Sequence, residues 1–143
     1  IVCPFDCAGK VPGQVRRIAV GQAVQVGDVR IEAVPSYNTN KPNHPKEHGN
    51  VGFVVEVGGQ RIYHAGDTDV IPEMADIRCD VALLPVGGTY TMNAREAAQA
   101  LSQIRSKVAV PMHWGGVVGS QGDAERFKRD APQGVEVVIL RAE

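Results

Sequence analysis

Hydrophobic and polar positions alternate along the first half of the chain and merge into solid apolar runs in the second. Across residues 29–35, Val29, Ile31 and Ala33 fall on one face and Arg30 and Glu32 on the other. That period of two marks a half-buried strand. Residues 15–20 and 23–26 read as strands around Gly21-Gln22, and residues 51–57 and 60–64 flank Gly58-Gly59, a hairpin signal. Residues 80–85 (DVALLP) and 107–112 are continuous apolar runs, the pattern of strands buried on both faces. The period lengthens over residues 93–104, where Ala94, Ala97, Ala98, Leu101 and Ile104 make one apolar stripe, and Asn93 with Glu96 forms a capping-box pair. A shorter amphipathic helix is predicted over 123–130, with Ala124 and Phe127 inward, and a closing strand over 135–140. Short elements complete the pattern: a strand at 1–3, a helical turn from Asp6 through Lys10, and another turn at 72–75. The predicted order is β-rich first, then strand–helix–strand–helix–strand.

Residues 36–50 break this pattern. They hold Asn38, Asn40, Lys41, Pro42, Asn43, Pro45, Lys46 and Gly49 with almost nothing apolar, and they carry two of the four histidines, His44 and His48. Loops of that length inside a compact domain usually serve function.

Composition adds limits. The 143 residues suit one domain spanning 1–143, with 43% hydrophobic and 22% charged residues. A net charge of −1 gives no field for nucleic acid, and no apolar run reaches the length of a bilayer span. No basic-then-apolar leader stands at the start, so a cytoplasmic location with reduced thiols is the expectation. Cys3 and Cys7 form C-x3-C, but no second Cys/His pair joins them to complete a structural zinc site, so the three cysteines read as free.

Candidate chemistry collects where strands end. Asp67 follows a strand in the turn Gly66-Asp67-Thr68, His113 follows another ahead of Gly115-Gly116, and His44 and His48 lie in the loop before a third. A carboxylate and imidazoles together suit zinc, manganese or iron. Taken singly, each has a plainer reading: Asp67 as a turn residue, His113 as a core histidine, His44 and His48 as solvated. His64 reads as structural, and Asp69, Glu73, Asp76 and Asp80 as caps and surface charges.

In combination, Arg61-Ile62-Tyr63-His64-Ala65-Gly66-Asp67-Thr68, the 80–85 strand with Val86-Gly87-Gly88, and Val110-Pro111-Met112-His113-Trp114-Gly115 resemble, in this order, the second half of the metallo-β-lactamase superfamily. They are most similar to its metal-dependent hydrolase branch, which includes L-ascorbate phosphate lactonases. The resemblance implies an α+β fold, an αββα sandwich with a metal site at one edge of its two sheets. It makes Asp67 the carboxylate bridging two metals and His113 the last histidine ligand. The family usually draws another histidine from the loop before the 51–57 strand; His44 is preferred for that place, with His48 as the alternative. The family's H-x-H-x-D-H motif is absent from this sequence. Its place would lie upstream of Ile1, so the chain is expected to be the C-terminal part of the fold, holding metal weakly or not at all by itself.

The resemblance implies a hydrolase in which a metal-bound hydroxide attacks a lactone, ester or phosphoester. Tyr37, Asn38, Lys41, Tyr90 and Trp114 are candidate pocket residues, with Lys46 beside them. The lysines would favour a small anionic substrate. The competing reading is a truncated, non-catalytic module used for oligomerisation or protein binding. Open strand edges would in either case promote homo-oligomers or strand exchange.

Overall fold

The computed structural model describes residues 1–140 and contains no cis peptide bond among them. Nine strands and two helices run in the order β1 (Val2–Cys3), β2 (Arg16–Arg17), β3 (Ala23–Val26), β4 (Val29–Pro35), β5 (Val51–Val57), β6 (Gln60–His64), β7 (Val81–Pro85), α1 (Ala94–Gln103), β8 (Val108–Met112), α2 (Gln121–Asp130) and β9 (Glu136–Val137). Short 3-10 turns occupy Lys46–His48 and Pro72–Asp76. Strands β3 to β9 form one sheet in sequence order, antiparallel from β3 to β6 and parallel from β6 to β9. The change of direction follows from the connections. Tight turns reverse the chain at β3–β4 and β5–β6 and the 36–50 loop does so at β4–β5, whereas β6 to β7 crosses over through the segment carrying the Pro72–Asp76 turn, and β7 to β8 and β8 to β9 each cross over through a helix.

Both helices pack on one face of this sheet. Val54, Tyr63, Ala82, Leu84 and Ala109 point into a core shared with Ala97, Ala100 and Leu101 of α1 and Phe127 of α2. Helix α1 starts as its sequence indicates: the Asn93 carboxamide oxygen accepts the Arg95 and Glu96 amides, and Glu96 accepts the Asn93 amide in return. Helix α2 begins at Gln121, two residues before the predicted start, because Asp123 serves its cap by accepting the Ser120 N–H and hydroxyl.

The opposite face is less covered than the sequence suggests. Ile31, Phe53 and Val55, and across the parallel half Ile62, Val81, Leu83 and Val110, are only half-buried. The expectation that 80–85 and 107–112 are buried on both faces therefore holds on the helix side alone. The pair β1–β2 is parallel and stands over β4 and β5, enclosing a cavity of about 580 Å³ lined by Ile1, Val2, Phe53 and Val55. Three other predicted elements are smaller than expected. Of residues 15–20 only Arg16–Arg17 pairs, the 6–10 segment is a run of turns instead of a helix, and of 135–140 only Glu136–Val137 pairs. The edge pairings supply too few ladder partners to extend these strands.

Candidate metal centre

Asp67 is placed by a dense set of backbone contacts behind it. Strand β6 ends at His64 and the chain turns through Gly66, whose φ of 69° is open to glycine and strained for other residues. A Cβ there would also meet the Ser36 hydroxyl at 2.9 Å. Next in line, the buried Thr68 hydroxyl accepts the Tyr37 N–H at 3.2 Å and lies 3.0 Å from the Tyr37 carbonyl oxygen. The turn is thereby stitched to the start of the 36–50 loop, and the Asp67 side chain is left half-exposed at the sheet edge.

His113 arrives from the end of β8 with a φ of 60°, the one non-glycine residue in the left-handed region among the described residues. Such backbone strain collects at functional sites. Its Nδ1 lies 3.2 Å from Asp67 Oδ1, while His44 Nε2 lies 3.5 Å from Asp67 Oδ2. The carboxylate thus has one imidazole on each oxygen. Gly87 permits this approach: a Cβ on it would sit 2.5 Å from the His113 carbonyl oxygen and 2.8 Å from Val118 Cγ2. Gly87→Ala is expected to push the His113 loop off its seat and cost about 1–3 kcal/mol, measurable as a lower urea midpoint.

Two hollows meet at Asp67 and His113. One, of about 300 Å³, also takes in Ser36, His44, Asn50, Phe53 and His64. The other, of about 420 Å³, is walled by Tyr90, Thr91, Trp114, Val117 and Val118. Thr91 Oγ1 is buried without a hydrogen-bond partner. Sequence reasoning singled out Tyr90 and Trp114 but passed over Thr91, Val117 and Val118, which carry no motif.

The remaining candidates lie elsewhere. His48 is exposed on the 3-10 turn and does not approach Asp67. Tyr37 is buried, and its hydroxyl donates to Glu73 at 2.9 Å. Burial and that partner raise the phenol's pKa. Lys46 also bonds Glu73, at 2.9 Å, and lies over the Tyr37 ring. Lys41 pairs with Asp69, a carboxylate only 3% exposed that was expected to be a surface charge. Burial alone would raise the Asp69 pKa, but Lys41 and the Thr39 and Asn40 amides outweigh it and hold the value below the ordinary one. Asn38 is buried with its amide spent inside the protein. None of Tyr37, Asn38, Lys41 and Lys46 lines the larger hollow. His64 stands on the open sheet face; desolvation first, and His113 second, lower its pKa.

Residues 6–113 match the Beta-lactamase superfamily domain family. The chain belongs to that family. A UPF0173 protein of Pyrococcus furiosus is 39% identical over 119 residues, covering 82% of this chain and 52% of the relative. A UPF0173 metal-dependent hydrolase of Archaeoglobus fulgidus is 36% identical over 136 residues, 85% of this chain and 58% of its own length. Among solved structures, a protein of Parabacteroides distasonis assigned to the metal-dependent hydrolases superposes with a TM-score of 0.85 at 32% identity, covering 99% of this chain and 64% of that one. A metallo hydrolase from Ignicoccus hospitalis gives 0.79 at 25% identity, with 98% and 64% covered. The chain therefore spans about half the length of the first of these relatives. The α+β sandwich fold of the family is confirmed, and among the described residues no helix is long and apolar enough to cross a membrane.

The family implies a divalent metal, and the donor chemistry at Asp67 fits one: a carboxylate flanked by imidazole nitrogens. The two imidazoles approach opposite oxygens, however, and among the described residues no group of three or more His, Cys, Asp and Glu side chains converges to hold an ion. By themselves these three side chains do not complete a coordination sphere.

Proposed function

We propose that this chain forms the C-terminal part of a metal-dependent hydrolase, with Asp67, His44 and His113 as its share of the metal ligands. The observation that carries the reading is the Asp67 carboxylate held between two imidazoles, one of them on a strained backbone. A bound divalent metal, zinc in the first instance, would supply an acidified water and a Lewis acid for the substrate oxygen. Asp67 holds the metal side of the site and fixes where the attacking oxygen must lie. Thr68 and Gly66 fix the backbone turn from which its carboxylate projects.

The larger hollow favours an uncharged lactone or ester over an anionic phosphoester. Its wall is Tyr90, Trp114, Val117 and Val118, with no lysine or arginine lining it among the described residues. Lys41 and Lys46, which would have drawn an anion, are engaged by Asp69 and Glu73. The acyl or aryl part of a substrate would rest on Trp114, with its carbonyl toward Asp67.

Calorimetric titration with zinc and manganese tests the reading, on this chain and on one extended upstream through an H-x-H-x-D-H motif. Weak binding by the chain and stoichiometric binding by the longer protein are expected. A longer protein that takes up no stoichiometric metal rules the hydrolase reading out.

A further inference from the structure

We infer that Asn38 is a positioning residue: its carboxamide fixes His44 in the tautomer that presents a bare Nε2 to Asp67, and ties that histidine to the wall of the substrate hollow. The inference rests on the proposed metal site and concerns only how this chain prepares one of its ligands.

The carboxamide can lie only one way round. Asn38 Nδ2 is 3.0 Å from the Tyr90 carbonyl oxygen, which can only accept, and Asn38 Oδ1 is 3.0 Å from the His44 backbone N–H, which can only donate. Both ends agree, so the oxygen faces His44. The His44 ring nitrogen Nδ1 lies 3.2 Å from this same oxygen. An amide oxygen cannot donate, so Nδ1 must carry the hydrogen. In the neutral ring the lone pair is then on Nε2, the atom 3.5 Å from Asp67 Oδ2. Asp67 Oδ2 can likewise only accept, and the spacing suits a cation shared by the two atoms. The arrangement suits a metal ligand whose second nitrogen is held by an outer hydrogen bond.

His64 shows the opposite arrangement. Its Nδ1 lies 3.2 Å from the Gly66 N–H and accepts it, so its hydrogen belongs on Nε2. Of the histidines around the smaller hollow, His44 is prepared to donate a lone pair at Nε2 and His64 is not. Because Asn38 also holds the Tyr90 carbonyl, His44 and one wall of the larger hollow share a single buried side chain.

Nitrogen-15 NMR of histidine-labelled chain, without metal and read on the alkaline plateau of the ring shifts, gives the tautomers directly. His44 is expected as Nδ1–H and His64 as Nε2–H, with His44→Gln and His64→Gln chains assigning the signals. Asn38→Asp keeps the acceptor and is expected to keep the His44 tautomer. Asn38→Leu removes it, and the signal should move toward the mixture seen for a free imidazole. Zinc affinity should fall roughly 10–100-fold in Asn38→Leu and largely recover in Asn38→Asp, with thermal melts confirming that both fold. A wild-type His44 in the Nε2–H form, or an unchanged tautomer in a folded Asn38→Leu chain, overturns the inference. Absence of zinc binding in the upstream-extended wild type and variants, with the His44 tautomer as expected, would count against the metal reading and leave the role of Asn38 standing.

Discussion

An upstream-extended chain carrying Asp67→Ala is expected to lose zinc binding while melting at nearly the wild-type temperature. The side chain is 45% exposed, and among the described residues its oxygens pair with His44 and His113 alone. Nothing in the core leans on it; the turn is held by Thr68 and by the backbone of Tyr37. Removal should therefore cost stability no more than an ordinary surface change, within about 0.5 kcal/mol. On the proposed reading the site loses the one carboxylate that this chain would supply, the group that lies between the two imidazoles. The affinity loss should exceed the roughly 10–100-fold of an outer partner. Calorimetry on the mutant, beside its melting curve, checks both halves. Unchanged affinity would remove Asp67 from the site, and a large drop in melting temperature would make it a structural residue.

Asp69→Ala is expected to behave in the opposite sense, costing about 3 kcal/mol of folding stability and close to 10 °C in melting temperature. The Asp69 side chain is 5% exposed, and Lys41 is 16% exposed. Truncation strands a largely buried ammonium and frees the Thr39 and Asn40 amides. Adding Lys41→Met should recover part of the loss, since it removes the stranded charge, and a double-mutant cycle would measure the coupling. Acid should reproduce the effect. The Asp69 pKa is lower folded than unfolded, so its contribution is complete above the unfolded value of about 3.9 and fades as pH falls through the lower, folded one. Stability should hardly change between about pH 7 and 5 on account of this group, then fall more steeply below about 4 in wild type than in Asp69→Ala, where Glu73 and Asp80, also held low by Lys46 and Lys107, still titrate. Zinc affinity should weaken as well, because the residues Asp69 anchors lie between Asn38 and His44.

The two neighbours Asp67 and Asp69 show how far the sequence could be read. Asp67 was legible because it sits in a short motif at a strand end, at a fixed place relative to a second motif around His113. Asp69 was not, since its partners Lys41, Thr39 and Asn40 belong to a loop with no periodicity. Only the folded chain brings that loop over the Gly66–Asp69 turn. The same holds for Asn38 and Lys41, read as pocket residues because their loop is polar and long. Their polar ends turn inward to Tyr90, His44 and Asp69. The helices and the β5–β6 hairpin were legible because caps, turns and periodicity are local. The half-covered sheet face was not, because an apolar run has the same spelling whether one face or both are packed.

The change from antiparallel to parallel pairing after β6 has a kinetic consequence. Strands β3 to β6 pair with their chain neighbours, through tight turns at β3–β4 and β5–β6 and the 36–50 loop at β4–β5, so they can assemble early. The parallel half must wait for two helical crossovers and the larger loop entropy they carry. Asp67 and His44 belong to the early half and its loop; His113 rides on β8, in the late one. The carboxylate therefore gains its second imidazole only after the slower half has docked. A metal ion that needs both would bind the finished sheet and not its precursors, pulling the folding equilibrium toward completion from its last step.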